Sequence, residues 1–225
     1  MSWTRPMLLI AGKDLRLEFR TRDILTSVGL FALLVVVTAS FALPTWGVGR
    51  EGVAAGVLWM AFVFAGLLGL GRSFAIEKEE GCIDALLMSP AAREAVFLGK
   101  LIANLTFTYA VEAAILPLFL VLLQLRLGGG VVLLVLAAVL GTLGLATIGT
   151  LFASIAVNTK TREAILPLLV LPVAVPVMIA AVKTSEAALG GEFSGAATPW
   201  VLLMVGYDAL FLLVALVTFP HVTEG

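Results

Sequence analysis

Two carboxyl side chains stand near the middle of long apolar stretches, Glu112 in residues 101–124 and Asp208 in residues 198–219. If these stretches cross a bilayer, a charge at that depth costs at least about 2.5–3.5 kcal/mol, so each acid is a functional candidate. A hydrogen-bonded structural acid is the equal alternative, with its partner on this chain or on a second subunit. The hydroxyl groups closest in sequence belong to Thr106, Thr108, Tyr109 and Tyr207.

The polar segment 77–93 has a short apolar face of its own. Ile83, Leu86 and Leu87 follow the i, i+3, i+4 spacing of one side of a helix. Acidic residues precede or flank this face, namely Glu77, Glu79, Glu80 and Asp84. Such a helix either rests on a bilayer or binds in a groove of a soluble protein, and the acidic flank favours the protein partner.

The apolar stretch 163–182 contains three prolines, Pro167, Pro172 and Pro176. Each proline lacks an amide hydrogen and clashes with the preceding turn, so we expect a kinked or broken helix. Because freed carbonyl groups need partners in lipid, this helix should face neighbouring helices or a partner subunit. Bending at Pro172 and Pro176 would let it pass a cytoplasmic movement outward, and static packing is the alternative.

Two other stretches carry a small residue at every fourth position, which lets helices approach closely in lipid. These residues are Ala61, Ala65, Gly69 and Ser73 in the first stretch and Ala138, Thr142, Ala146, Thr150 and Ser154 in the second. Packing within the chain is the expected use, and a subunit interface is the alternative.

The chain lacks the residue sets of the common catalytic sites. Its single cysteine, Cys82, and single histidine, His221, exclude an intrachain disulfide and a histidine cluster. A phosphate-binding loop is also absent, because Gly99-Lys100 is followed by leucine and no glycine stands five residues before Gly99. We therefore expect no catalytic residue, no metal site and no cofactor bound by this chain alone.

The composition indicates that lipid surrounds much of the chain. Of the 225 residues, 61% are hydrophobic and 13% are charged, whereas soluble domains have about 45–50% and 25%. A net charge of −1 disfavours nucleic acid as a partner. Six windows are long enough to span a bilayer: 24–43, 53–76, 101–124, 129–153, 163–182 and 198–219. We predict an all-α integral membrane protein in which residues 1–225 form one transmembrane domain with six spanning helices.

Basic residues predict the orientation of these helices. Eleven of the 14 lysines and arginines fall in residues 1–23 or in the connections after the second and fourth spans. The other three are Arg50, Arg126 and Lys183. The excess of positive charge on one side places both termini in the cytoplasm.

The leader, residues 1–23, is predicted to form an interfacial amphipathic helix. Its apolar stripe consists of Met7, Leu8, Ala11, Leu15 and Phe19. Lys13, Arg16 and Arg20 lie on the other side, where they can contact anionic membrane lipid.

Several stretches are similar to those of a known family. They are Glu79-Glu80-Gly81-Cys82-Ile83-Asp84-Ala85-Leu86-Leu87-Met88-Ser89-Pro90, then Gly99-Lys100, then Leu140-Gly141-Thr142-Leu143-Gly144, and Leu168-Leu169-Val170-Leu171-Pro172-Val173-Ala174-Val175-Pro176. With six spans and a coupling helix after the second, the chain resembles the type-2 permeases of ATP-binding-cassette (ABC) exporters. More specifically, it resembles the haem exporter protein B family, over essentially its whole length.

The resemblance implies a non-enzymatic permease subunit in the bacterial cytoplasmic (inner) membrane. A cytoplasmic ATP-binding subunit would dock on Glu79, Glu80, Ile83, Asp84, Leu86 and Leu87. The other implied partners are a haem-handling membrane protein, a small single-span subunit and a haem chaperone. Haem would be a substrate of the complex, ATP would bind the partner subunit, and hydrolysis would release haem-loaded chaperone.

Three other functions stay open at this point. The nearest is a type-2 permease that exports a drug, a lipid or a glycan. The second is a proton-coupled carrier that uses Glu112 and Asp208. The third is a passive scaffold on which partners dock.

Overall fold

The structure, a computed structural model, describes residues 3–21, 23–43, 49–79, 92–125, 129–156, 162–191 and 195–222. The side chains of 17–25, 72–79 and 162–164 lie outside this description. Within these ranges the chain forms seven α-helices: α1 (Thr4–Thr21), α2 (Asp23–Ala42), α3 (Arg50–Glu79), α4 (Arg93–Leu122), α5 (Val131–Ala156), α6 (Arg162–Leu189) and α7 (Thr198–Val222). The predicted all-helical fold is therefore confirmed.

Five helices are long and apolar enough to cross a membrane, and together they make the chain a multi-pass membrane protein. The candidate spans are Arg50–Gly71, Arg93–Leu122, Val131–Ala156, Ile165–Leu189 and Thr198–Val222. They correspond to the second to sixth predicted spans. The apolar part of α2, Thr26–Ala42, is shorter, so the first span stays a prediction.

Two helices extend well beyond the apolar windows that the sequence predicted as spans. Helix α4 begins at Arg93 instead of residue 101, and α6 continues to Leu189 instead of residue 182. The apolar windows stop where charged residues begin, but a helix continues wherever its charges find partners. In α6, Lys183 and Glu186 form an ion pair of 2.8 Å within the extension.

Helix α5 occupies the centre of the bundle and contacts α3, α4, α6 and α7. From Gly141 to Leu151 every residue except Leu143 is buried. Both predicted stripes of small residues face the interior, since Ala61 and Ala65 of α3 and most stripe residues of α5 are buried. The packing interpretation of the stripes is thus confirmed for these residues.

The buried apolar side chains form two clusters. The larger one runs through α2–α7. The smaller one joins α1, α4, α5 and α7 where α4 begins and α7 ends, and we call it the basal cluster. Its residues are Ile10, Val96, Phe97, Leu101, Ala146, Leu151, Ala215 and Phe219.

Candidate functional site

Glu112 of α4 is buried against α5, with 4% of its surface exposed. The hydroxyl of Thr142 donates a hydrogen bond of 2.5 Å to its Oε1. Its Oε2 has no hydrogen-bond partner among the described residues. Thr142 stood out in the sequence only as a small residue. Glu112 lies ten residues before the end of α4, and Thr142 lies eleven residues after the start of α5. The two residues are therefore at similar depth in adjacent helices, which indicates the contact.

The four hydroxyl groups that the sequence offered as partners for the acids bond backbone carbonyls instead, so that prediction was wrong. The donor–acceptor pairs are Thr106–Ile102 (2.7 Å), Thr108–Asn104 (2.9 Å), Tyr109–Val139 (2.8 Å) and Tyr207–Val173 (2.8 Å). A threonine inside a helix readily bonds the carbonyl four residues earlier, which removes it from contacts with other helices. The two tyrosines reach carbonyls of neighbouring helices.

Asp208 of α7 has an unusual environment. It is 6% exposed, and neither carboxyl oxygen has a hydrogen-bond partner in the described part of the chain. The carboxyl group lies against Gly144 of α5, where a Cβ atom would stand 2.6 Å from Oδ1. Only glycine leaves room for this acid. An unpartnered carboxyl group at such depth opposes stability, which makes Asp208 the stronger functional candidate of the two.

The two acids lie against the same turn of α5. Their contact positions, Thr142 and Gly144, are two residues apart and thus about 200° apart around the helix. Within the described ranges no hydrogen bond joins the two carboxyl groups. They are two separate positions, not one acidic site.

The same turn of α5 is also in contact with α3. A Cβ at Gly141 would stand 2.2 Å from Cη2 of Trp59, so the indole ring occupies the space that a side chain would need. Nε1 of Trp59 donates a hydrogen bond of 2.9 Å to the hydroxyl of Ser185 on α6. The turn of α5 that contains Gly141, Thr142 and Gly144 therefore contacts α3, α4 and α7, and Trp59 links it to α6.

Helix α6 is continuous through Pro167, Pro172 and Pro176, which excludes the broken form, while the kink stays a prediction. Pro172 and Pro176 are exposed, whereas Ala174 and Val177 of the same turns are buried. Helix α6 therefore faces neighbouring helices through Ala174 and Val177, whereas Pro172 and Pro176 lie on its exposed face. Their exposure leaves the partner subunit as the other predicted contact.

The segment predicted to bind a partner protein falls largely outside the described residues. This applies to Glu80, Ile83, Asp84, Leu86 and Leu87. Its flanks are described: α3 reaches Glu79, which the sequence placed in the segment, and α4 begins at Arg93. Both helices therefore lead directly into the segment.

Helix α1 packs against the beginning of α4. Its buried face includes Ile10 and Ala11, 8% and 3% exposed, whereas Leu8 of the predicted stripe is 61% exposed. Leu8 therefore lies outside the face that contacts protein, which is centred near Ile10 and Asp14, and the interfacial position of α1 stays a prediction. Phe19 and Arg20 lie outside the described side chains.

Helix α1 packs closely on the Gly99-Lys100 pair of α4. A Cβ at Gly99 would stand 2.9 Å from the backbone oxygen of Met7. Lys100 is 4% exposed, and its Nζ lies 3.2 Å from Oδ2 of Asp14. Sequence reasoning missed Asp14, although an acid on the same face as Ile10 was a usable signal.

In the described ranges, no three histidine, cysteine, aspartate or glutamate residues come together in a way that could hold a metal ion.

Comparison with known proteins identifies the family. A profile described as CcmB protein matches residues 5–224. A protein named "Heme exporter protein B" from Rhodobacter capsulatus is 36% identical over 77% of this chain and 79% of its own length. Proteins of the same name from Paracoccus denitrificans and Pseudomonas aeruginosa are 34% and 28% identical, over 74% and 86% of this chain and 76% and 86% of their own lengths. With this coverage and the helical membrane fold, the chain belongs to the CcmB protein family.

Proposed function

We propose that this chain is the membrane subunit of an ABC exporter that acts in haem export or delivery for cytochrome c maturation. The observation that carries the proposal is the similarity to heme exporter protein B over about three quarters or more of both chains. Five apolar helices long enough to span a bilayer support a membrane role. The chain itself is not an enzyme, and a separate cytoplasmic subunit hydrolyses ATP.

The proposed cycle uses ATP hydrolysis to release haem-loaded chaperone on the outer side of the bacterial inner membrane. Both termini and the segment 77–93 lie in the cytoplasm, as the distribution of basic residues indicates. The complex also contains the haem-handling membrane protein and the small single-span subunit.

A purified native complex tests this function. We expect the ATP-binding subunit and the haem-handling protein to co-purify with this chain, together with haem. Adding ATP should release haem-loaded chaperone, and a variant ATPase that binds but does not hydrolyse ATP should retain it. Release that continues with the inactive ATPase would contradict the proposal and favour a passive scaffold.

Docking of the ATPase is assigned to the apolar face of residues 77–93. Burying each of Ile83, Leu86 and Leu87 in a groove contributes about 1.5–3 kcal/mol. Leu86→Glu with Leu87→Glu should release the ATPase while the chain still inserts in the membrane. The matched control is Ala85→Glu, which adds a charge on the opposite side of the same helix. Co-purification that survives the double substitution would reject this docking site.

The prolines of α6 are assigned a role in passing a movement from the cytoplasmic side of the membrane to the outer side. Their exposure supports a contact with another membrane subunit, where the carbonyl groups freed by Pro172 and Pro176 can accept hydrogen bonds. Pro172→Ala with Pro176→Ala should leave ATPase binding intact and uncouple hydrolysis from chaperone release. Normal coupling in this variant would mean that the two prolines serve only static packing.

A further inference from the structure

Helices α1 and α4 pack closely at Gly99. Gly99 allows the backbone of α1 to approach, since a Cβ there would stand 2.9 Å from both the Met7 oxygen and the Ile10 Cβ. Beside it, Lys100 extends to Asp14, whose side chain is 11% exposed. A steric contact and an ion pair therefore hold the same two helices at adjacent positions.

The two lysines that contact Asp14 differ in their surroundings. Lys13 lies 2.9 Å from Oδ1 of Asp14, but its side chain is 46% exposed. Lys100 contacts the other oxygen and is 4% exposed. Exposed pairs contribute little because water and salt screen them. A buried pair constrains geometry, since neither partner can leave without exposing the other to an apolar interior.

The beginning of α4 is also held to the end of α7. Nη1 of Arg93 donates a hydrogen bond of 3.4 Å to the backbone oxygen of Pro220. The rings of Phe97 and Phe219 are 5.3 Å apart within the basal cluster. The first two turns of α4 thus join α1 and α7 into one base.

We propose that Asp14 and Lys100 are positioning residues that make α1 move together with α4 when the ATPase acts. This inference rests on the proposed function, because the force enters through the docking segment that ends at the beginning of α4. Lys100 lies seven residues after Arg93, about 10 Å along the helix. Among the described residues, α1 is bound to α4 by a buried charge pair, whereas α7 is bound by a hydrogen bond and ring packing.

Removing both charges tests whether the pair positions α1 or only stabilises the fold. Asp14→Asn with Lys100→Met removes both charges of this pair at once, so the protein should fold and bind the ATPase. We expect the chaperone released per ATP hydrolysed to fall about tenfold, within the usual range of coupling between sites. The matched control, Lys13→Met, removes the exposed partner of Asp14 and should keep the normal ratio. A normal ratio in the double variant would overturn the proposal.

A distance measurement tests the same proposal without the chaperone. In a Cys82→Ser background, spin labels at Leu9 of α1 and Val132 of α5, both exposed, report the position of α1 relative to the opposite end of the bundle in the native complex. We expect ATP to change this distance in the unmodified base and to leave it unchanged after Asp14→Asn with Lys100→Met. An equal change in both proteins, or no change in either, would overturn the proposal. Absence of the ATPase from the complex would instead reject the proposed function.

Discussion

Buried ionisable side chains have an ionic partner at the base of the bundle but not in its interior, as far as the described residues show. In the base, Lys100 has the carboxylate of Asp14 at 3.2 Å. In the interior, Asp208 is as well buried but lacks a hydrogen-bond partner among the described residues, and Glu112 has a hydroxyl on one oxygen only. Paired groups hold helices in place, whereas an unpaired acid costs stability and is a candidate for activity.

The largest loss of stability is expected in the base. Asp14→Ala removes one partner of a buried ion pair with Lys100, which should lower the free energy of unfolding by about 3–5 kcal/mol. Thermal unfolding in detergent measures this. The control is Glu186→Ala, which removes a half-exposed ion pair with Lys183 and should cost at most about 1 kcal/mol. Equal losses in the two variants would mean that burial of the Lys100 pair has no special effect.

The next loss is expected where α5 meets α3. Gly141→Ala puts a methyl group into the Trp59 ring and should cost about 1–3 kcal/mol. Gly56→Ala on α3 meets nothing within 4 Å, and in a helix that change should stabilise by about 0.5–1 kcal/mol. Opposite shifts in melting temperature are therefore predicted, and similar shifts would refute the close contact.

A loss of similar size is expected from the hydrogen bond to Glu112. Thr142→Val keeps the shape of the side chain but leaves the carboxyl group without a donor, at a cost of about 1–3 kcal/mol. Thr147→Val is the matched control, because Thr147 donates only to Leu143 of its own helix. If both variants unfold at the same temperature, the bond to Glu112 does not stabilise the bundle.

The smallest change in stability is expected at Asp208. Asp208→Asn replaces a buried carboxyl group that has no described partner with an amide of similar size that is also a buried polar group, so the free energy of unfolding should change by less than about 0.5 kcal/mol. If the acid serves activity, chaperone release should be lost while the complex still assembles. Glu112→Gln, assayed in the same way, should keep activity because Thr142 can still donate to its carbonyl oxygen. A marked loss of stability with Asp208→Asn would place this acid with the structural groups of the base.

The difference between the two regions was only partly visible in the sequence. Glu112 and Asp208 stand out because an acid in an apolar run is rare, but their partners could not be chosen from sequence distance. All four nearby hydroxyl groups bond backbone carbonyls, and the partner of Glu112 comes from the next helix. Asp14 looked like one more polar residue of an amphipathic helix, although it is the residue that binds Lys100.

The sequence by itself determined the all-helical membrane fold and five of the spans, because hydropathy and helix length are local properties of the chain. It also indicated the family, because the motifs of the connecting segment, α5 and α6 can be read without coordinates. Only the tertiary structure decided that Gly141 and Gly144 receive Trp59 and Asp208, that Pro172 and Pro176 lie on the exposed face of α6, and that Lys100 is bound to α1. Each of these depends on which faces of two helices meet, and rotation of a helix about its axis changes those contacts without changing its hydropathy.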